Sequence, residues 1–223
     1  MPLREIAGPV GSLEALLDEP ADARRVNRDG LLEVGRGKGL RAAVVFAHPH
    51  TLYGGTMHTK VIYQSAKALA RIGCAVLRFN FRGAGLSAGT FDEGRGEQDD
   101  FRAALDFMGG SYPEAPLWAA GMSFGSYVAL TVGAVDPRVS TLIGIAVPLS
   151  RYDFSAVRDS AKPKFFVQAE RDEIAPLKDM REFYARAAEP KELVVVEGAD
   201  HLFDGKVGDV SDAIEDLLAD WSA

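Results

Sequence analysis

The chain has 223 residues, 47% of them hydrophobic and 26% charged, and its formal net charge is −7 at pH 7. A chain of this size and composition can bury its own core, which excludes a disordered or disulfide-dependent protein. The negative charge, with no prominent cluster of Lys and Arg, argues against nucleic acid or an anionic membrane surface as a partner.

Export and membrane signals are also missing from the sequence. The N-terminal stretch MPLREIAGP has no apolar core, so we expect no signal peptide, and no apolar run reaches the ~18 residues that span a bilayer. The single cysteine, Cys74, excludes an intrachain disulfide and fits a reducing compartment. We therefore expect a soluble cytoplasmic protein, a monomer or homodimer, whose partner is a small molecule.

The pattern of apolar residues predicts an α/β fold. Residues 3–36 alternate weakly and contain the turn Arg28-Asp29-Gly30, which predicts antiparallel strands at one edge of a sheet. After Gly39, short apolar runs alternate with helical stretches, as in a mostly parallel, doubly wound sheet with helices on both faces. The predicted central strands are Ala42–Ala47, Ala75–Phe79, Pro116–Ala120, Thr141–Ala146, Lys164–Gln168 and Leu193–Val196. The predicted helices lie near Met57–Arg71, Gly96–Met108, Phe124–Gly133, Leu177–Ala188 and Val207–Trp221.

We find no internal repeat and no linker, so residues 1–223 are predicted to form one domain. The glycine-rich stretch RGAGLSAG at residues 82–89 follows a predicted strand, as a phosphate-binding loop would. It lacks both G-x-G-x-x-G and the Lys-Ser/Thr of a P-loop, which favours a tight surface loop over a nucleotide site.

The sequence Gly121-Met122-Ser123-Phe124-Gly125 is a G-x-S-x-G motif between a predicted strand and a predicted helix. In that position the serine hydroxyl is exposed on a sharp turn, and the glycines relieve crowding around it. The start of the helix presents free N–H groups and a positive dipole to developing negative charge. An ordinary helix N-cap serine is the alternative explanation.

Candidate partners for such a serine follow two later strands. A serine needs a base within hydrogen-bond reach, itself oriented by a carboxylate. Asp172 and His201 each follow a predicted strand, and the carboxyl ends of parallel strands share one edge of the sheet. The order Ser123, Asp172, His201 therefore predicts a catalytic triad. The rival acids are Glu170, Glu173 and Asp200, with Glu173 the first alternative.

The segment FAHPHTLYGG at residues 46–55 follows the first central strand. Acyl transfer needs two backbone donors for the oxyanion, and we expect the first from Phe124. Pro49 has no N–H, so His50 is the preferred second donor, with Thr51 or Leu52 as alternatives. A metal site of three histidines is the rival interpretation, but the spacing of these histidines matches no common zinc pattern. Those histidines are His48, His50 and His58.

The His48-Pro49 loop with Gly54-Gly55, the run RFNFRG at residues 78–83 and the G-x-S-x-G motif together resemble small bacterial α/β-hydrolases related to dienelactone hydrolases. The likeness covers roughly residues 40–222. It implies the α/β-hydrolase fold and a lidless carboxylesterase with a triad of Ser123, Asp172 and His201. A serine in place of the cysteine of true dienelactone hydrolases argues against their particular substrate.

The segment from Pro148 to Pro163 is too short for a cap domain, so we expect an open site for small or short-chain acyl esters, with no cofactor and no metal. The candidates to line the site are Leu52, Tyr53, Met122, Phe124, Phe154 and Phe203. A thioesterase or peptidase with the same triad, or a catalytically silent binding module of this fold, are the alternatives.

Overall fold

Eight strands form one sheet in the computed structural model, which describes residues 4–20, 24–26, 32–34, 39–219 and 221. In chain order the strands are β1 Arg4–Gly8, β2 Gly11–Asp18, β3 Arg24–Val26, β4 Leu32–Val34, β5 Ala42–Ala47, β6 Cys74–Phe79, β7 Leu117–Met122, β8 Val139–Ile145, β9 Lys164–Ala169 and β10 Lys191–Val196. The helices are α1 Lys60–Arg71, α2 Arg95–Ser111, α3 Phe124–Val135, α4 Ser155–Asp159, α5 Leu177–Arg186 and α6 Val207–Ala219.

The strand order in the sheet is β1-β2-β6-β5-β7-β8-β9-β10. In this order the six neighbouring strands β6, β5, β7, β8, β9 and β10 run parallel. At one edge of the sheet, β1 pairs antiparallel with β2, and β2 pairs antiparallel with β6, as predicted. The strands β3 and β4 pair with each other in a separate two-stranded sheet, so they are not edge strands of the main sheet. The predicted turn Arg28–Gly30 lies outside the described residues.

Both faces of the sheet are covered because alternate strand residues point to opposite sides. In β5, Ala43, Val45 and Ala47 belong to the core under α2 to α5, whereas Val44 and Phe46 belong to the core under α1 and α6. Strands that are buried on both faces consist of consecutive apolar residues, and this pattern allowed the sequence to predict them. The α/β fold with helices on both faces is therefore confirmed.

The connection between β8 and β9 spans residues 146–163 and contains only the five-residue helix α4. It forms no cap over the carboxyl edge of the sheet, which confirms the lidless architecture. Among the described residues, no helix has both the length and the apolarity needed to cross a membrane.

A buried ion pair fixes the loop that follows β6 against α2. The carboxylate of Asp100 accepts hydrogen bonds from the Arg82 main-chain N–H, Nε and Nη2 at 3.0, 3.0 and 2.8 Å. Asp100 is fully buried, and the Arg82 side chain is 9% exposed. One residue earlier, Asp99 forms an ion pair with Arg102 at the surface.

We expect Asp100→Ala to lower the free energy of unfolding by about 3–5 kcal/mol, because it leaves a buried guanidinium without its counterion. The matched control is Asp99→Ala, which removes an exposed pair and should cost no more than about 1 kcal/mol. Urea denaturation of both variants measures the difference. Equal losses would show that the buried pair does not hold this loop.

Candidate active site

Ser123 lies at the sharp turn between β7 and α3. Its backbone φ of 53° and ψ of −124° fall in a region that non-glycine residues rarely occupy. The Ser123 N–H donates to the Ile145 carbonyl of β8 at 2.9 Å, and the Ser123 carbonyl accepts from the Ser126 N–H at 2.9 Å. The strained turn is therefore held from both sides, with the hydroxyl at the carboxyl edge of the sheet.

The two glycines of the motif are required by close backbone approaches. A Cβ atom on Gly121 would lie 2.2 Å from the Gly125 carbonyl oxygen. A Cβ atom on Gly125 would lie 2.4 Å from the carbonyl oxygens of Ala47 and His48. No side chain fits at these distances, so the glycines allow α3 to start directly against the loop that follows β5.

A chain of hydrogen bonds joins three side chains that are distant in the sequence. His201 Nε2 lies 2.9 Å from Ser123 Oγ, and His201 Nδ1 lies 2.8 Å from Asp172 Oδ2. Because the carboxylate can only accept, Nδ1 carries the proton in the neutral imidazole and Nε2 accepts from the serine hydroxyl. The three predicted residues are thus in the mutual geometry that their proposed chemistry requires.

The carboxylate of Asp172 is held in place by the backbone of its own loop. Its Oδ1 accepts from the N–H groups of Ile174 and Ala175 at 2.9 and 2.7 Å. Gln168 Nε2 lies 3.4 Å from Oδ2. The side chain is fully buried, so both oxygens are committed and one of them faces His201.

The rival acids have other contacts. Glu173 is exposed to solvent. Glu170 accepts from the Gly198 N–H at 2.8 Å, which links the two loops that carry Asp172 and His201. Asp200 accepts from the N–H groups of Leu202 and Asp204, both at 3.1 Å, and so closes the turn after His201.

Two backbone N–H groups near Ser123 are candidates to bind an oxyanion. Among the described residues, the N–H of Phe124, the first residue of α3, and the N–H of His50 have no acceptor. The N–H of Thr51 is also unpaired within this part of the chain, whereas Leu52 donates to His50 Nδ1 at 3.2 Å. Leu52 is therefore excluded as a free donor, and His50 and Thr51 remain.

His48 is a buried structural residue in the loop after β5. Its Nδ1 lies 2.6 Å from the Pro49 carbonyl, and its Nε2 accepts from the Phe81 N–H at 3.0 Å. Burial lowers the pKa of His48 to about 4, partly opposed by the hydrogen bond to Pro49. Both ring nitrogens are in use, so they are not free to ligate a metal with His50 and His58. The described residues include no group of three or more potential ligands positioned for a metal ion.

A cavity of about 370 Å³ opens beside Ser123 and His201. Of the residues predicted to line it, Tyr53 and Phe124 do so, and His50, which was predicted as an oxyanion donor, also lies in its wall. Partial burial lowers the pKa of His50, and the charge of Glu97 opposes this shift. The ring of His50 packs against Phe124 with the ring centroids 4.9 Å apart.

Four other predicted lining residues are corrected by the structure. Met122 and Phe203 are fully buried in the core under α1 and α6, so they are not accessible to a substrate. Phe154 is buried in the opposite core. Leu52 is 67% exposed and is not among the residues that line the cavity.

The cavity is also lined by residues that were not predicted from the sequence to line it. They are Pro49, Pro148, Arg151, Tyr152, Ile174 and Leu202. Arg151 and Tyr152 belong to the short connection after β8, which had been recognised only for its length. That connection follows the strand next to the Ser123 strand. Its position in the predicted sheet was the signal in the sequence that its residues could line the cavity.

Comparison with known proteins defines the family. The model of the serine aminopeptidase S33 family matches residues 39–159, which is more than half of the chain. The chain belongs to the serine aminopeptidase S33 family. This S33 protein is 36% identical over 180 residues to an uncharacterized protein of Rickettsia prowazekii, with 77% of this chain and 76% of the relative covered.

Two solved structures of serine hydrolases are similar to this S33 protein over nearly its whole length. An alpha-beta serine hydrolase homologue from Coxiella burnetii is 34% identical with a TM-score of 0.86, covering 98% of this chain and 97% of that one. A serine hydrolase without lid from Xanthomonas campestris is 34% identical with a TM-score of 0.83, covering 96% and 92%. The small lidless α/β-hydrolase is confirmed, whereas the narrower likeness to dienelactone hydrolases stays a prediction.

Titration of His48 should make the stability of this S33 protein depend on pH. The pKa of His48 in the folded protein lies below its ordinary value of 6.5, so the unfolded chain takes up the proton first as the pH falls. Stability is therefore lost between about pH 6.5 and about pH 4. Between pH 7 and pH 5 we expect a loss of about 1–2 kcal/mol from this group.

Urea denaturation at pH 7 and pH 5 tests this expectation. His48→Gln should lose about 1–2 kcal/mol less than the wild type over this interval, because glutamine does not titrate. The control His58→Gln removes an exposed histidine and should behave as the wild type. The same pH dependence in all three proteins would contradict the assignment to His48.

Proposed function

We propose that this chain is a serine hydrolase that cleaves small or short-chain acyl esters through an acyl-enzyme at Ser123. The observation that carries the proposal is the unbroken hydrogen-bond chain from Ser123 Oγ through His201 to Asp172. Membership in a hydrolase family and the likeness to lidless serine hydrolases support it.

The first half of the reaction uses the proton positions set by these contacts. Ser123 Oγ attacks the ester carbonyl while its proton moves to His201 Nε2. Asp172 holds His201 in the required tautomer and stabilises the imidazolium by its charge. The imidazolium then gives the proton to the departing alcohol oxygen, which leaves an acyl group on Ser123.

Negative charge develops on the carbonyl oxygen during the attack. The unpaired N–H groups of Phe124 and His50 are the proposed donors to this oxyanion, with Thr51 as the alternative second donor. The N-terminal end of α3 adds a favourable dipole at the same place. Water then attacks the acyl group, and His201 serves again as base to regenerate Ser123.

The charge of the side chains that line the cavity favours an ester substrate over a peptide with a free N-terminus. An aminopeptidase has to accommodate a substrate ammonium group, for which a carboxylate is the complementary side chain. Among the described residues that line the cavity there is no Asp or Glu, and the permanently charged one is Arg151. Aminopeptidase activity is therefore the weaker candidate, although the family model carries that description.

The absence of a cap favours short acyl chains. The cavity of about 370 Å³ has apolar surface from Tyr53, Phe124 and Tyr152, but no cap covers an acyl chain that extends beyond it. Each buried methylene contributes ~0.8 kcal/mol, but only where a wall covers it. Without a cap, a longer tail extends into solvent and gains little.

Covalent labelling tests the proposed nucleophile. We expect a fluorophosphonate probe to label the wild type once and Ser123→Ala not at all. Hydrolysis of 4-nitrophenyl butyrate should fall by at least about a thousandfold in Ser123→Ala, a loss typical of triad serines. The control Ser126→Ala removes a neighbouring hydroxyl that donates to the Ser123 carbonyl, and it should still be labelled.

Two outcomes would contradict this proposal. Labelling and turnover that persist in Ser123→Ala would assign the nucleophile to another residue. A wild type that is neither labelled nor active on esters would favour the silent binding module, since its hydrogen-bond chain would then have no chemical role.

A second pair of variants tests the acid. Asp172→Asn should lower kcat by about 10³–10⁴-fold, because the amide can hold the wrong tautomer of His201. Glu173→Gln is the matched control at the adjacent exposed position and should keep kcat within about twofold of the wild type. Steady-state kinetics on 4-nitrophenyl butyrate measure both. The reverse ranking would assign the acid role to Glu173.

A further inference from the structure

Arg151 lies in the wall of the cavity that also exposes Ser123 and His201. It ends a tight turn whose backbone is fixed, because the Arg151 N–H donates to the Pro148 carbonyl at 3.0 Å. Two residues separate this turn from the end of β8, the neighbour of the Ser123 strand. The backbone of Arg151 is therefore held close to the carboxyl edge of the sheet.

The guanidinium of Arg151 has no carboxylate within ion-pair distance among the described residues. Several other arginines are neutralised, for example Arg82 by Asp100 and Arg138 by Asp106. Arg171 and Arg181 have no ion pair among the described residues either, but they do not line the cavity, so its position there distinguishes Arg151. The carboxylate two residues along the chain, that of Asp153, accepts from the N–H and hydroxyl of Ser155. Arg151 is thus an uncompensated cation at an otherwise largely aromatic and apolar site.

The buried carboxylates of Glu97 and Asp172 are bound by other groups of the protein. Glu97 is fully buried, and its carboxylate accepts from the N–H groups of Asp92 and Gly94 at 2.8 and 2.7 Å. Asp172 is bound to His201. Neither lines the cavity, so a ligand meets Arg151 without a competing carboxylate in the wall.

We propose that Arg151 selects ester substrates that carry an anionic group, such as a carboxylate, on the acyl or the alcohol part. The proposal rests on the proposed ester hydrolysis and specifies its substrate class. A guanidinium binds a carboxylate through paired charge-assisted hydrogen bonds. Arg151 and Tyr53 are exposed to solvent, so we expect a preference of the size that a surface ion pair gives.

The positive charge of Arg151 in the cavity wall contrasts with the negative net charge of the protein. The chain carries −7 overall, which repels anions at long range. At physiological salt this repulsion is screened beyond about 8 Å, so a local cation determines the charge preference inside the cavity.

The experiment compares esters that differ only in one charge. In the acyl arm, 4-nitrophenyl hydrogen adipate is compared with its neutral methyl ester. In the alcohol arm, 4-butyryloxybenzoate is compared with 4-butyryloxybenzamide. The measured quantity is the ratio of kcat/KM for the anionic ester to kcat/KM for the neutral one.

We expect Arg151→Gln to lower this ratio by about fivefold in one arm, and the arm affected identifies the part of the substrate that carries the charge. Arg151→Lys should keep most of the ratio, and Arg151→Glu should lower it further. The ratio is the diagnostic quantity, because a loss of kcat/KM that is common to neutral and anionic esters cancels in it. Raising the salt from about 0.05 M to about 0.5 M should reduce the wild-type ratio, because the interaction is electrostatic.

The control variant is Arg102→Gln, which removes an exposed arginine outside the cavity and should leave both ratios unchanged. Unchanged ratios in Arg151→Gln, with active enzyme on the neutral esters, would overturn the anion preference and leave the hydrolase proposal intact. Equal losses on neutral and anionic esters would assign Arg151 a structural role instead. A wild type that cleaves none of the four esters would overturn both proposals.

Discussion

The turn from β7 into α3 is the constraint around which the site is organised. Ser123 adopts a positive φ there, and the chain can do so only because Gly121 and Gly125 leave room for neighbouring backbone. The same absence of side chains brings the start of α3 against the carbonyl groups of Ala47 and His48. The close backbone packing at these two glycines therefore fixes the relative positions of the serine hydroxyl, the first N–H groups of α3 and the loop after β5.

The other two members of the hydrogen-bond chain depend on the loops after β9 and β10. These loops are tied together by backbone hydrogen bonds, from Glu170 to Val196 at 3.1 Å and from Arg171 to Ala199 at 2.8 Å. Main-chain contacts thus position the two loops, and the N–H groups of Ile174 and Ala175 fix the carboxylate of Asp172 within its loop. In the proposed reaction, such preorganisation lowers the cost of aligning the groups that transfer the proton.

In the proposed reaction, the absence of a cap leaves substrate selection to a few residues at the carboxyl edge of the sheet. Tyr53 and Tyr152 provide apolar surface, and Arg151 provides the permanent charge. A serine hydrolase acquires its substrate preference from such wall residues, since the chemistry at Ser123 and His201 is common to esters, thioesters and peptides. The sign of the charge beside the nucleophile is therefore the most informative feature of this cavity.

The sequence by itself determined the order of strands and helices after Gly39, the G-x-S-x-G turn with Ser123, and His201 as the candidate base, with Asp172 as the preferred of several acids. These follow from local properties: unbroken apolar runs in buried strands, glycines where backbone approaches closely, and polar residues that follow strand ends. Only the tertiary structure decided that Asp172 rather than Glu173 faces His201, and that Met122 and Phe203 are core residues. It also decided that residues 151–152 line the cavity, because the direction of a loop side chain depends on packing against elements distant in the sequence.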